Sequence, residues 1–262
     1  MLITNQKPSN WRDLQESVAL ILRQCGFSAE TDKTVTTVRG NIDLDVFAKE
    51  NIDGRGNLYV FECKYWNKRV PKSVVHSFRT VINDLGYNFG YIIAKSGFQS
   101  GAFDASNFSA VKLLTWEEFQ EEFFEVWYKN YFVVELKKIT DSIWSNCELW
   151  FPDWANNASR EDVVELEQAR GKYCSIELFV SSKILMNYSF LNNFNFIGAD
   201  KSSQFIKLPA IQDKDIDKNK ITDNQILEIL ETETYNEFLD NVKVFLREGV
   251  SEFSRLRSKM ES

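Results

Sequence analysis

The sequence is poor in the features that mark several protein classes. Its 262 residues include only 4 Pro and 11 Gly, which excludes collagen-like, low-complexity and wholly disordered chains. No run approaches the roughly 18 consecutive apolar residues of a membrane-spanning helix, and the first ten residues have no apolar signal-peptide region. We therefore expect a cytoplasmic protein with no contact to a membrane.

Cysteine is also scarce, and the four residues are scattered without a CxxC pair: Cys25, Cys63, Cys147 and Cys174. This spacing disfavours a zinc ribbon and does not indicate a disulfide framework. The sequence predicts four buried thiols.

The net charge of −7 is unevenly distributed. Residues 1–116 contain 14 Lys+Arg against 11 Asp+Glu, whereas residues 117–262 contain 17 against 27. A chain this acidic cannot hold a polyanion by a general positive field, so any nucleic-acid contact must be local, and the N-terminal part could face phosphates. Charge alone favours the alternative that both parts are ordinary surfaces.

Hydrophobic periodicity divides the N-terminal part into helices and strands. An apolar stripe predicts a helix over residues 11–25, ending before Gly26, and a second helix from Pro71 to Leu85. Alternating or β-branched runs predict strands at 27–38, 39–48, 58–65, 89–94 and 111–114, with a loop at 51–57 that contains an Asp53-Gly54 turn signal. A brief helix precedes the last strand, and Thr115 with Glu118 forms a capping box that opens another. This order predicts an α/β fold whose later strands are parallel.

The pattern after residue 126 is harder to interpret. Residues 123–132 fit a helix or a strand, and residues 212–220 are typical of an exposed loop. Thr222 and Gln225 could cap a short helix, and a long amphipathic helix runs from Tyr235 to Leu256. We predict two domains, 1–125 and 126–262, the second mainly helical or α+β and serving specificity, dimerisation or partner binding.

Charged residues recur at two-residue spacing on two neighbouring strands. Asp43 and Asp45 should share one face of their strand, and Glu62 and Lys64 one face of the next. A carboxylate from each strand, with the Cys63 carbonyl between them, gives the all-oxygen environment that Mg²⁺ or Mn²⁺ prefers. Lys64 could then orient water or neutralise charge in phosphoryl transfer.

Five features of the N-terminal part together resemble those of a known family. They are Glu16 ten residues before Gly26-Phe27, GNIDLDV at 40–46, ECK at 62–64, the helix from Pro71, and IIAKSGF at 92–98. With them, residues 11 to about 120 resemble the PD-(D/E)xK nuclease superfamily, and within it the Mrr-like restriction endonucleases. The resemblance implies an αβββαβ core with a mixed sheet flanked by helices, a divalent metal, and hydrolysis of DNA phosphodiesters that leaves a 5′-phosphate.

The resemblance leaves residue roles open. Asp43 fits a G-x-x-D spacing and Asp45 fits a D-V-aromatic-A ending; we favour Asp45 as the metal ligand, with Asp43 as a second ligand or a water-holding neighbour. Glu16 is either an outer metal ligand or a solvated carboxylate. His76 stands where relatives often carry glutamine, and it could contact phosphate, act as a general acid or simply lie at the surface. Lys95 is either a phosphate contact or a surface lysine.

We therefore expect a metal-dependent endonuclease that acts on double-stranded DNA as a homodimer, in defence against foreign DNA, with a protein partner for the C-terminal domain. Two alternatives remain at this point. One is a catalytically silent nuclease-like binding or assembly module. The other is a structure-selective resolvase or RNA nuclease on the same scaffold.

Overall fold

The chain divides into two compact units, Met1–Tyr131 and Phe132–Ser262, here called unit 1 and unit 2. This computed structural model describes residues 2–52, 54–189 and 204–261, so the predicted turn residue Asp53 lies outside it. The sequence placed the boundary between residues 125 and 126, and the structural division falls between Tyr131 and Phe132.

Unit 1 is a mixed sheet with helices between its strands. Its elements are α1 (Trp11–Gln24), β1 (Ser28–Thr37), β2 (Gly40–Ile52), β3 (Arg55–Lys64), α2 (Lys72–Leu85), β4 (Phe89–Ala94), α3 (Ser100–Ser106), β5 (Val111–Thr115) and α4 (Trp116–Trp127). The strands lie in the order β1-β2-β3-β4-β5. The first two pairings are antiparallel and the last two are parallel. The predicted α/β class, αβββαβ order and mixed sheet are confirmed.

Local signals explain where most of these helices begin and end. The Asn10 side chain accepts the backbone N–H of Asp13, and the Thr115–Glu118 capping box is present at the start of α4. Gly86 ends α2 in the left-handed conformation with φ +64°. Pro71, predicted as the first helical residue, is instead the N-cap of α2.

The predicted loop between β2 and β3 is shorter than expected. Pairing continues to Ile52 and Arg55, so most of residues 51–57 belong to a tight hairpin. Polar residues such as Asn51 and Asn57 gave a loop-like composition, but antiparallel pairing of a solvent-facing hairpin tolerates polar side chains.

Both faces of the sheet are covered. On one face Val60 and Ile92 pack in a buried cluster with three residues of α2, namely Val75, Phe78 and Ile82. On the other, Tyr59, Phe61 and Tyr91 stack side by side, and Phe61 lies 6.0 Å from both Phe119 and Phe123 of α4, centroid to centroid. Charged side chains at the ends of these strands therefore lie beside a dry interior.

Unit 2 is helical in its described residues. Its α-helices are α5 (Val133–Cys147), α6 (Arg160–Phe179), α7 (Asn224–Glu231) and α8 (Tyr235–Met260). π-helical segments occur at Tyr128–Phe132, which spans the division between the units, and at Val180–Met186. The α7 N-cap is Asp223, one residue after the predicted Thr222. No helix among the described residues is long and apolar enough to cross a membrane.

The prediction of four thiols is wrong for two of the cysteines. Cys147 and Cys174 form a disulfide between α5 and α6, whereas Cys25 and Cys63 are free and buried. The bridged residues are 27 positions apart, so no local motif brings them together; only the packing of the two helices does.

Candidate active site

The strand that carries Asp45 is irregular at that residue. In the β1–β2 ladder the pairs Thr31–Val46 and Lys33–Leu44 are formed, but the pair between them is skipped. The skipped position on β1 is Asp32, whose φ of +54° lies in the left-handed region. Leu44 and Phe47 both pack in the cluster beneath α2, although strict alternation would place residues three apart on opposite faces. The predicted regular alternation of β2 is therefore wrong at this point.

Both carboxylate oxygens of Asp45 are held by neighbouring elements. Oδ1 accepts a 2.8 Å hydrogen bond from Nε2 of Gln15 on α1, and Oδ2 accepts the backbone N–H of Cys63 on β3 at 2.7 Å. The last pair of the β2–β3 ladder is Val46–Phe61, so Asp45 lies just past it. The Cys63 carbonyl points toward the same neighbouring strand as its N–H, because a strand residue directs both groups to one side.

Glu62 and Lys64 extend from the end of β3 and contact each other. The Lys64 ammonium donates to Oε1 of Glu62, and both side chains are only partly exposed. Burial raises the pKa of Glu62, and the nearby charge of Asp45 raises it further, while Lys64 acts in the opposite direction. Two carboxylates thus share a poorly solvated region with one ammonium.

Glu62 and Lys64 also line a cleft of about 330 Å³. Its other lining residues are Trp66 and five residues of α2: Ser73, Val74, Ser77, Phe78 and Val81. The cleft therefore lies between the end of β3 and one side of α2.

The donor set suits a small hard cation. Within the described ranges no group of three or more His, Cys, Asp or Glu side chains is arranged to hold a metal. Asp45, Glu62 and the Cys63 carbonyl supply oxygens only, a set that Mg²⁺ usually completes with water and substrate phosphate. Burial and, after it, the charge of Asp45 raise the pKa of Glu62, and a divalent ion bound here would act in the opposite direction.

Three predicted site residues lie apart from this group. Asp43 is exposed, and its Oδ1 accepts a 2.6 Å hydrogen bond from Thr34 Oγ1 of β1. Glu16 is exposed and is bonded to Thr31 Oγ1 at 2.8 Å and to Arg23 at 3.4 Å. His76 lies on the exposed side of α2, four residues after Lys72.

Gln15 is the site residue that the sequence reasoning missed. It is only 3% exposed, and its Oε1 is buried with no hydrogen-bond partner in the described structure. A signal was present, because Gln15 precedes Ala19 and Leu22 on a stripe of α1 that is otherwise apolar, and a polar residue on a buried stripe is informative. An orphaned buried oxygen beside Asp45 is the position at which a water molecule or a hydrated ion would be bound.

Lys95 follows the last residue of β4. Its Nζ donates to Asn67 Oδ1 at 2.9 Å and lies 4.1 Å from the ring centroid of Tyr65. The lysine therefore braces the segment that leaves β3 immediately after Lys64.

One comparison with known proteins assigns part of the chain to a family. A family model described as "Restriction endonuclease" (Mrr_cat) matches residues 7–123, somewhat under half of the chain. A search of curated proteins gave no match. Among solved structures, one described as "Crystal Structure of Protein of Unknown Function AF1548" is similar over 63% of this chain and 99% of that chain, with 19% identity and a TM-score of 0.38. By the family match, residues 7–123 form a restriction endonuclease domain of the Mrr-like, PD-(D/E)xK type.

Proposed function

We propose that the protein is a metal-dependent endonuclease of the Mrr-like restriction type that hydrolyses phosphodiester bonds in double-stranded DNA. One observation carries the proposal: Asp45, Glu62 and Lys64 converge where β2 and β3 separate, beside a cleft that reaches solvent. Buried charges are costly, and a structural role would be served as well by apolar side chains. The presence of these three charged side chains at partly buried positions therefore favours a catalytic role over a structural one.

The carboxylates of Asp45 and Glu62, with the Cys63 carbonyl, would hold Mg²⁺ or Mn²⁺. When bound, such an ion stabilises the negative charge that develops on the phosphoryl oxygens. Gln15 and the Cys63 N–H fix the Asp45 carboxylate, so this ligand is oriented before substrate arrives.

Lys64 would act on the reacting phosphate directly. Its ammonium lies beside Glu62, and Lys64 lines the cleft. From this position it can donate to a nonbridging oxygen of the phosphate or orient the attacking water. Fixing this donor in advance removes part of the entropic barrier to reaction.

The proposal also includes an oligomeric state, a role for unit 2 and a biological setting. One site per chain cuts both strands of a duplex only with two chains or two visits, so we propose a homodimer. Unit 2 would supply dimerisation, substrate choice or the surface for a protein partner. The setting would be cytoplasmic defence against foreign DNA, by analogy with the family.

The test is cleavage of supercoiled plasmid by the purified full chain with Mg²⁺ or Mn²⁺. We expect nicked and linear products from wild type and none from Lys64→Ala. The control is Lys49→Ala, which removes an exposed lysine of the same sheet. Cleavage that persists in Lys64→Ala at the wild-type rate would contradict the mechanism.

Substrate class is tested in the same assay. A resolvase or an RNA nuclease would use the same side chains, so neither is separated from a restriction-type nuclease by mutation. Competition of plasmid cleavage by unlabelled linear duplex, four-way junction and RNA duplex distinguishes them. We expect linear duplex DNA to compete at least as well as the other two.

A further inference from the structure

Basic side chains in unit 1 differ in their partners. Away from the site six are ion-paired: Lys7 with Glu117, Arg12 with Asp32, Arg23 with Glu16, Lys33 with Glu30, Arg39 with Asp84, and Lys112 with Glu122. Lys49 and Arg55, at the hairpin end of β2 and β3, have no carboxylate partner among the described residues. Lys68, Arg69 and Lys72 are exposed, and none of them pairs with a carboxylate in the part of the chain that the structure describes. Their charges are therefore available to a ligand.

The three residues border the candidate active site. β3 ends at Lys64, the chain leads through Lys68 and Arg69, and Lys72 begins α2, whose next residue lines the cleft. The sequence from Cys63 to Phe103 contains six Lys or Arg against a single acidic residue, Asp84. That one carboxylate is paired with Arg39. The flank of the cleft is thus strongly basic within a chain of net charge −7.

The backbone beneath these cations is fixed. The N–H of Val70 donates to Gly97 O, and the N–H of Gln99 donates to Val70 O, both at 3.0 Å. Ser96 Oγ donates to Trp66 O at 2.7 Å. The segment after β3 is therefore bonded to the segment after β4. The Trp66 ring also supports Lys68 Nζ, which lies 5.8 Å from the ring centroid. Ligand binding here would cost little backbone entropy.

We propose that Lys68, Arg69 and Lys72 form a phosphate-contact surface that places the DNA backbone beside Glu62 and Lys64, an inference that rests on the proposed nuclease function. A cation without a carboxylate partner can neutralise a phosphate and release its counterion, whereas a paired cation must first give up its partner. Phosphate contacts fix position and carry no sequence information. This surface therefore binds duplex DNA of any sequence, and sequence choice comes from other residues.

The test measures DNA binding by the full chain without cleavage. Fluorescence anisotropy with a labelled duplex in EDTA, over a series of NaCl concentrations, gives the slope of log K against log salt. In Lys68→Gln/Lys72→Gln we expect the magnitude of this slope to fall by about 1.8, or about 0.9 for each lost phosphate contact. The fall should be the same for two unrelated DNA sequences. The single variant Arg69→Gln should give about half of it.

The matched control is Lys49→Gln/Arg55→Gln, which removes two exposed cations at the hairpin end of β2 and β3. Neither pairs with a carboxylate among the described residues, so both doubles remove two unpaired charges. The control slope should equal that of wild type. Unchanged melting temperatures establish that all variants are folded.

Four results would overturn the inference. The first two are no salt-dependent binding by wild type, and an unchanged slope in both Lys68→Gln/Lys72→Gln and Arg69→Gln. The other two are an equal fall in the control, and a fall seen with RNA duplex but not with DNA. Plasmid cleavage separates this inference from the proposed function. If binding depends on this surface but wild type cuts nothing with metal, the nuclease proposal fails and the surface stands. If wild type cuts plasmid DNA but the salt slopes do not change in the variants, the phosphate-contact surface fails and the nuclease proposal stands.

Discussion

Units 1 and 2 place their charged residues differently. Unit 1 has 15 Lys+Arg against 16 Asp+Glu, and it concentrates Asp45, Glu62 and Lys64 at the end of a covered sheet. Unit 2 has 16 against 22, and many of its ion pairs lie on exposed helix surfaces, among them Lys137 with Asp141, Glu165 with Arg255, and Arg257 with Glu261. Surface pairs of this kind add about 0–1 kcal/mol each.

The surroundings of the carboxylates in the two units bear on which unit holds the proposed active site. In unit 2 Lys138 and Lys243 hydrogen-bond to Glu135 and lower its pKa, whereas burial raises the pKa of Glu177, which accepts a hydrogen bond from the Ser181 hydroxyl. In unit 1 the pKa of Glu62 is raised, because burial and Asp45 outweigh Lys64. Glu62 also differs from Glu177 because a second carboxylate and an ammonium lie near it, and perturbed groups clustered in this way favour a functional site in unit 1.

The largest effect should come from removing the carboxylates of unit 1. Asp45→Asn or Glu62→Gln should lower plasmid cleavage by about 10³-fold or more, because each removes a charged ligand of the metal. Glu135→Gln in unit 2 should leave the cleavage rate unchanged. Initial rates in Mg²⁺ check this. If the unit 2 variant lost as much of the cleavage rate as the unit 1 variants, the assignment of the metal ligands to unit 1 would be contradicted.

A smaller effect is expected at Gln15, which touches Asp45 but not the substrate. Gln15→Leu should raise the Mn²⁺ concentration for half-maximal cleavage by about 10–100-fold, the usual cost of losing a partner that orients a ligand. Cleavage at saturating Mn²⁺ should recover in part.

Leu20→Ala, an exposed position on the same helix, is the control for α1. If Gln15→Leu lowers cleavage equally at all metal concentrations, Gln15 does not act through a metal ligand.

Packing distinguishes two glycines of unit 2. A Cβ at Gly249 of α8 would lie 2.8 Å from Ile143 Cδ1 and from Tyr173 Cγ, whereas a Cβ at Gly171 of α6 meets nothing within 4 Å. Gly249→Ala should destabilise unit 2 by about 1–3 kcal/mol. Gly171→Ala should stabilise it by about 0.5–1 kcal/mol through helix propensity. Urea unfolding followed by circular dichroism measures both, and shifts of the same sign would contradict the packing of α8.

The smallest effect concerns Glu177, the buried carboxyl of unit 2. Burial raises its pKa and Ser181 opposes this only in part. A raised pKa in the folded state contributes stability that is present at acid pH and is lost as pH rises through the folded pKa. Glu177→Gln should therefore match wild type near pH 4 and melt at a higher temperature at pH 7–8. A variant that melts lower at pH 8 would show that the ionised group is stabilised.

The fold of unit 1 could be predicted because its signals are local. The capping box at Thr115 and Glu118, the glycine after α2 and the alternation along β3 each depend on a few neighbouring residues. The contact between Glu62 and Lys64 was predictable for the same reason, since the two residues are two apart on one strand. The Asp45 contacts were not, because they depend on an interruption of β2 and on a residue of α1.

Unit 2 was less predictable because its structure depends on packing between distant segments. The difficulty begins at residues 123–132, which end unit 1 and enter unit 2, because their many aromatic side chains fit a buried strand or a buried helix equally well. They are helical, with a π-helical segment from Tyr128. The Cys147–Cys174 disulfide likewise requires α5 and α6 to meet, which no spacing in the sequence encodes.

The most direct test of the account is metal-dependent thermal stability of the full chain. If Asp45 and Glu62 bind a divalent ion, Mn²⁺ at 100 times its Kd adds about 2.7 kcal/mol to the stability of wild type and raises its Tm. The rise should disappear in Glu62→Gln and persist in Glu30→Gln, an exposed carboxylate of β1. A Tm that does not respond to Mn²⁺ in wild type, or that responds equally in Glu62→Gln, would contradict a nuclease centre in unit 1 and leave a catalytically silent module.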